Sequence, residues 1–125
     1  MELPVDGDPA RSKWVLLMSV NPGGPAGGSG MLYFVGDFDG EAFPADGETR
    51  WLDHGADFYA GVTYSGVPDG RRVLVGWMNN WLYGQQVPTS AWRSAQSVPR
   101  ELTLKTQDGN IRLVQRRVRV QALAR

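Results

Sequence analysis

Apolar residues in this chain come in short runs, separated by clusters of glycine, proline, asparagine and aspartate. The run at residues 13–20, Lys-Trp-Val-Leu-Leu-Met-Ser-Val, is too short for a free-standing helix and rich in strand formers, so it predicts a strand. The stretch 21–30, Asn-Pro-Gly-Gly-Pro-Ala-Gly-Gly-Ser-Gly, stops it. Aromatic and β-branched residues resume at 31–38, with Phe38-Asp39-Gly40 as the closing turn, and Arg50-Trp51-Leu52-Asp53 reads as a short edge strand. A second group follows at 57–64, 71–78, 97–106 and 111–118. Its turns are Pro68-Asp69-Gly70 and Asp108-Gly109, the latter a strong hairpin signal between two strand-like runs. No segment shows a convincing helical period, and the end of the chain from Val114 to Arg125 reads as a last strand plus a frayed tail.

The strands fall into two antiparallel sets about 45 residues apart, the repeat length of one propeller blade per set. The second set has four strands and the first has three, so one strand is missing at its N-terminal side. The expected fold is all-β: antiparallel four-stranded blades, about two of them. Residues 1–55 form a blade lacking its inner strand, 56–119 a nearly complete blade, and 120–125 a tail.

Composition narrows the function classes. A chain of 125 residues is one domain at most. Thirteen basic and thirteen acidic residues cancel, which argues against a nucleic-acid binder or an anionic-membrane binder, since both need excess positive charge. No run approaches the roughly 18 apolar residues of a membrane helix. The start, Met-Glu-Leu-Pro-Val-Asp-Gly-Asp, lacks a basic segment followed by an apolar one, so no signal peptide is expected. With no cysteine and a single histidine, His54, neither thiolate chemistry nor a multi-histidine metal site is available. No metal or cofactor is expected.

Several motifs invite chemistry. The glycine-rich stretch 21–30 is not followed by Gly-Lys-Ser/Thr or a helix start, so it reads as a flexible hairpin connection and not a phosphate loop. Asp37 and Asp39 could pair as glycosidase carboxylates, but Asp39-Gly40 has the look of turn chemistry. His54 has no Gly-x-Ser-x-Gly serine to serve and reads as a turn residue. The segments Asp57-Phe58-Tyr59-Ala60 and Gly76-Trp77-Met78-Asn79-Asn80-Trp81-Leu82-Tyr83 place aromatic rings, amides and a carboxylate near two strand ends. That mixture suits a sugar, whose C–H faces stack on rings while its hydroxyls need polar partners. It equally suits sheet core, and spacing leaves both readings open.

Taken together, these residues resemble glycoside hydrolase family 32, the levanases, inulinases and invertases. The resemblance runs through Lys13-Trp14-Val15-Leu16-Leu17, Ser19-Val20-Asn21-Pro22-Gly23-Gly24-Pro25 and Tyr33-Phe34-Val35-Gly36-Asp37-Phe38-Asp39-Gly40. It continues through Trp51-Leu52-Asp53-His54-Gly55, Asp57-Phe58-Tyr59-Ala60 and Arg71–Trp81, then Gln86-Val87-Pro88-Thr89, Trp92-Arg93-Ser94-Ala95 and Val98-Pro99-Arg100-Glu101-Leu102. It covers nearly the whole chain in order, closest to the bacterial levanase or exo-inulinase branch.

The resemblance implies part of a five-bladed propeller that leads toward a β-sandwich, and retaining hydrolysis of β-fructosidic bonds in levan, inulin or sucrose. It implies no catalytic residue here, because the Asn-Asp-Pro-Asn-Gly, Arg-Asp-Pro and Glu-Cys-Pro motifs are all absent. The Glu-Cys-Pro strand precedes this segment in the family and corresponds to the strand missing from the first set. For substrate binding, Trp77 matches a tryptophan of the fructose pocket. Asp57 and Tyr59 match an inner strand facing the axial funnel, and Asn80 and Trp81 match its rim. Three expectations follow: a piece of a fructan or sucrose hydrolase inactive alone, a weak fructan-binding module, or a chain that self-associates through the open sheet edge at 13–20. Polymer-acting relatives are commonly secreted.

Overall fold

The computed structural model describes residues 1–119; the expected tail at 120–125 lies outside them. Among the described residues there are nine strands: β1 (Glu2–Val5), β2 (Asp8–Val20), β3 (Gly30–Gly36), β4 (Arg50–Trp51), β5 (Tyr59–Thr63), β6 (Arg72–Met78), β7 (Ala95–Gln96), β8 (Arg100–Gln107) and β9 (Asn110–Arg117). No helix occurs among the described residues. The strands form two antiparallel meanders, β1-β2-β3-β4 and β5-β6-β8-β9, with β7 added beside β6.

Two features depart from the pattern-based expectation. The first is β1, which closes on β2 through Asp6 (φ 55°) and Gly7 (φ 75°). Asp108 (φ 49°) and Gly109 (φ 75°) repeat the same two-residue turn between β8 and β9. Both residues in such a turn need positive φ, which Asp-Gly supplies at low cost. The second is that the expected strand 97–106 is two pieces. Ala95–Gln96 pairs with Met78 and Trp77, Arg100–Leu102 pairs with Leu74–Arg72, and the register slips by one residue between them. Pro99 sits in that break, where its lack of an N–H costs no ladder bond, while Ser97 N still donates to Gly76 O at 2.8 Å.

β1 joins the two meanders. Val5 pairs in parallel with Leu104 of β8, and Asp6 N donates to Leu104 O at 3.0 Å. Thr106 donates to the Asp6 carboxylate through its N–H (2.8 Å) and its hydroxyl (2.6 Å). β1 covers β2 as far as Trp14, and Met1 continues the pairing to Val15. Beyond that point, among the described residues, 16–20 of β2 pair with β3 alone. The open edge expected over 13–20 is thus confined to its second half.

The meanders pack face to face. Leu3, Val5, Val15, Met31 and Tyr33 from one side meet Phe58, Leu74, Leu102, Leu104 and Leu113 from the other, with Leu52 between them. Leu74 and Leu104 are fully buried, each worth about 1.5–3 kcal/mol of transfer free energy. Phe58 fits because two glycines make room. A Cβ on Gly76 would stand 2.6 Å from its ring, and one on Gly61 would stand 3.3 Å from the ring and 2.9 Å from Met31 Sδ. The Arg100 guanidinium covers the Phe58 ring at 4.3 Å, donating also to Asp53 (2.8 Å) and Gln115 (3.0 Å).

The Thr106 hydrogen bonds hold the Asp6 carboxyl below the usual carboxylate range. A lowered folded-state value stabilises the fold above the ordinary carboxylate pKa, and that stability disappears as pH falls through the lowered value. Urea midpoints measured from roughly pH 5 down to pH 2 should therefore show a smaller acid-side loss for Asp6→Asn than for the unaltered chain. Parallel curves would show that the Asp6–Thr106 link does not couple to folding.

Candidate functional site

The site-end loops gather around one side chain. β2 ends, β3 begins, β5 begins and β6 ends at the same end of the meanders. Asn80, immediately beyond β6, is fully buried there. Its Oδ1 accepts from Ser29 N (3.1 Å) and Leu82 N (2.9 Å), and its Nδ2 donates to Gly27 O (2.9 Å) and Ala56 O (2.8 Å). One amide thus ties the glycine-rich connection 21–29, the approach to β5, and the loop after β6. Gly28 (φ 66°) has to be glycine here, since a Cβ would lie 2.0 Å from Asn80 Oδ1. The connection expected to be flexible is a clamped loop, with Ser29 Oγ accepting from Trp81 N at 3.1 Å.

The rings sit on this clamp. Trp77 and Tyr59 face each other across β6 and β5, their centroids 6.2 Å apart at 63°. Trp81 tilts against Trp77 at 5.1 Å and remains half exposed. A bulge between Tyr59 and Val62 with Ala60 in the left-handed region (φ 49°) sets the register that brings Tyr59 opposite Trp77. Bulges commonly re-aim side chains next to functional sites. Asp57 is exposed and accepts a hydrogen bond from the Tyr83 hydroxyl. That bond to the carboxylate raises the Tyr83 pKa, because ionising the phenol would forfeit it.

Of the five residues singled out from sequence, Trp77, Tyr59 and Trp81 form one aromatic group, and Asp57 lies two residues before Tyr59 at the same end. Asn80 is placed behind them, with its polar atoms engaged by backbone. Tyr83 belongs to the aromatic segment noted in the sequence, but nothing local marks it as the partner of Asp57, 26 positions away. Asn79 is also buried, donating to Ser94 Oγ at 2.6 Å and accepting from Asn80 N at 2.8 Å. Asp37 and Asp39 lie at the opposite strand end. Asp37 accepts from Lys13 Nζ at 2.8 Å, and Asp39 accepts from the N–H groups of Glu41 and Ala42, which lower its pKa. His54 is exposed beside a turn in which Gly55 N donates to Asp53 Oδ1. Among the described residues no cluster of three or more His, Asp or Glu side chains is arranged to hold a metal ion.

Residues 2–116 match the model of the glycosyl hydrolases family 32 N-terminal domain. The chain belongs to glycosyl hydrolase family 32. It is 54% identical over 119 residues to a levanase of Bacillus subtilis (strain 168), covering 91% of this chain and 18% of that protein. It is 48% identical over 124 residues to the extracellular exo-inulinase inuE of Aspergillus niger, covering 91% of this chain and 23% of the relative. In three dimensions it resembles the crystal structure of the Aspergillus awamori exo-inulinase, with a TM-score of 0.85 at 43% identity over 94% of this chain and 24% of that one. A fructofuranosidase variant of Schwanniomyces occidentalis complexed with fructosylnystose gives a TM-score of 0.88 at 41% identity over 98% of this chain and 25% of that one. The two meanders are blades of the family 32 propeller. The chain spans about a fifth of the length of the curated relatives it matches.

Removing the Asn80 amide leaves the N–H groups of Ser29 and Leu82 and the carbonyls of Gly27 and Ala56 without this partner. The Ser29 N–H is buried, and an unmet buried group costs about 1–3 kcal/mol. Asn80→Ala should therefore lower stability by at least about 1 kcal/mol, read as a lower urea midpoint at unchanged slope. A loss under about 0.5 kcal/mol would show that water replaces the amide.

Proposed function

We propose that this chain is the substrate-facing part of two neighbouring blades in a β-fructosidase that releases terminal fructose from levan, inulin or sucrose with retention. The observation that carries the reading is the Tyr59–Trp77–Trp81 group beside the Asp57–Tyr83 pair, at one end of blades that belong to family 32. Trp77 and Tyr59 offer an apolar wall for a furanose ring, and Trp81 extends it toward solvent. Asp57, oriented by Tyr83, has acceptor capacity left for sugar hydroxyls. Asn80 positions these groups from behind and makes no contact with sugar.

Turnover is a different matter. A retaining glycosidase needs a nucleophile and an acid/base on either side of the scissile bond, and none of the family's three carboxylate motifs occurs in these 125 residues. We assign those carboxylates to other parts of a complete enzyme. The first blade's inner edge is occupied here by β1, so the inner strand expected to be missing is present at least in part. By itself the chain then binds fructans weakly and hydrolyses nothing. An open shelf with part of its walls present supports affinity of about millimolar strength.

Incubation with levan, inulin and sucrose should release no more fructose than a Trp77→Ala control. Fructo-oligosaccharide should quench tryptophan fluorescence in the unaltered chain and not in Trp77→Ala. Fructose release above the control overturns the inactivity, and absence of quenching at high ligand overturns the binding assignment.

Self-association draws support from residues 16–20, whose one-sided pairing leaves N–H and C=O groups able to template another strand. Sedimentation equilibrium decides it. Val15 exchanges its backbone bonds with Met1, so by strand alternation the Ser19 N–H also points to the open side. Association that weakens on Ser19→Pro supports the edge, and a monomer at high concentration rejects it.

A further inference from the structure

The largest chemical contrast to the aromatic shelf lies at the other end of the strands. There the two blades part and leave a cleft of about 570 Å³, within the range of small-ligand sites. Tyr33 and Val35 of β3 and Ile111 of β9 line it, together with Glu48, Arg50 and Asn110. Asp46, also in the lining, is held by Lys13 Nζ at 2.8 Å. Among the described residues, Glu48 and Arg50 form no ion pair, which leaves a carboxylate and a guanidinium available in one cleft.

We propose that this cleft is a second carbohydrate site, taking a neutral oligosaccharide. The charge balance decides the ligand class. Lys13 bridges Asp46 and Asp37 at 2.8 Å. Asp37, Asp46 and Glu48 together offset Lys13, Arg50 and Arg112, so neither an anion nor a cation gains net attraction. A neutral ligand carrying many hydroxyls gains donors from Arg50 and Asn110 and acceptors from Glu48 and Asn110, while its C–H surface meets Tyr33, Val35 and Ile111. The Gly47 and Gly109 backbones also line the cleft, and neither has a side chain to obstruct a bulky ring. The ligand class rests on the fructan reading of the aromatic shelf, whereas the location does not. In a polymer-degrading enzyme, a site remote from the cutting end would hold the chain of the substrate and raise its local concentration.

The test is a titration of the isotopically labelled full chain with nystose, followed by amide chemical shifts. The expected result is saturable shifts at 46–50 and at 109–112, beside a separate set at the aromatic shelf. Arg50→Ala should weaken the first set at least tenfold and leave the shelf set in place, whereas Trp77→Ala should do the reverse. The spectrum itself reports whether each variant is folded. Shifts confined to residues 57–83 overturn the second site and leave the fructan reading standing. Shifts at neither end overturn both. Equal shifts at 46–50 and 109–112 on adding inorganic phosphate instead of sugar overturn the neutral-ligand class.

Discussion

The seat of Phe58 is the constraint on which the rest of the molecule depends. Its ring is buried between the blades, roofed by the Arg100 guanidinium and admitted only because positions 61 and 76 carry no side chain. The same residue sits between Asp57 and Tyr59 in sequence. Burying it therefore stabilises the inter-blade core and fixes where a carboxylate and a ring emerge at the site end. Arg100 extends the control outward, because its bonds to Asp53 and Gln115, and the Gln115 bond to Leu52 O, hold the approach to β5 against β8 and β9. A single packing decision thus propagates to the chemistry.

The site divides its labour by burial. Asn79 and Asn80 are inside and spend their amides on the protein itself, while Trp77, Trp81, Tyr59 and Asp57 keep accessible surface. A buried amide with matched partners rigidifies a loop cluster at little net cost, whereas the same amide unmatched would be expensive. Tyr83 gives Asp57 one hydrogen bond, which orients the carboxylate. In the function proposed above, what these residues supply is placement, the contribution of a binding wall to a reaction performed by groups elsewhere.

Most of the strands were legible because alternation and turn chemistry are local. Asp108-Gly109 announced its hairpin, and the runs at 71–78 and 111–118 carried enough β-branched and apolar residues to declare themselves. Asp6-Gly7 is the same signal, but the strand before it is only four residues long and holds a proline, so the pattern there is faint. Pro99 marked the break between β7 and β8 in plain view, although the apolar rhythm on either side masked it. The aromatic residues could be gathered into a site by resemblance. The inward turn of Asn80 could not, since its partners at 27 and 29 are more than fifty positions away and no local period encodes them.

The junction made by β1 also governs how the chain acquires its shape. The carboxylate of residue 6 is bonded to residue 106, a separation of 100 positions. Contacts of such long range close late and slow the folding of a β-rich domain. During synthesis β1 emerges about a hundred residues before its partner in β8, and the two blades lock into a common unit only after residue 106 has been made. Until then the first blade shows its own half of the core to water, and that interval is when the nascent protein is most exposed to aggregation.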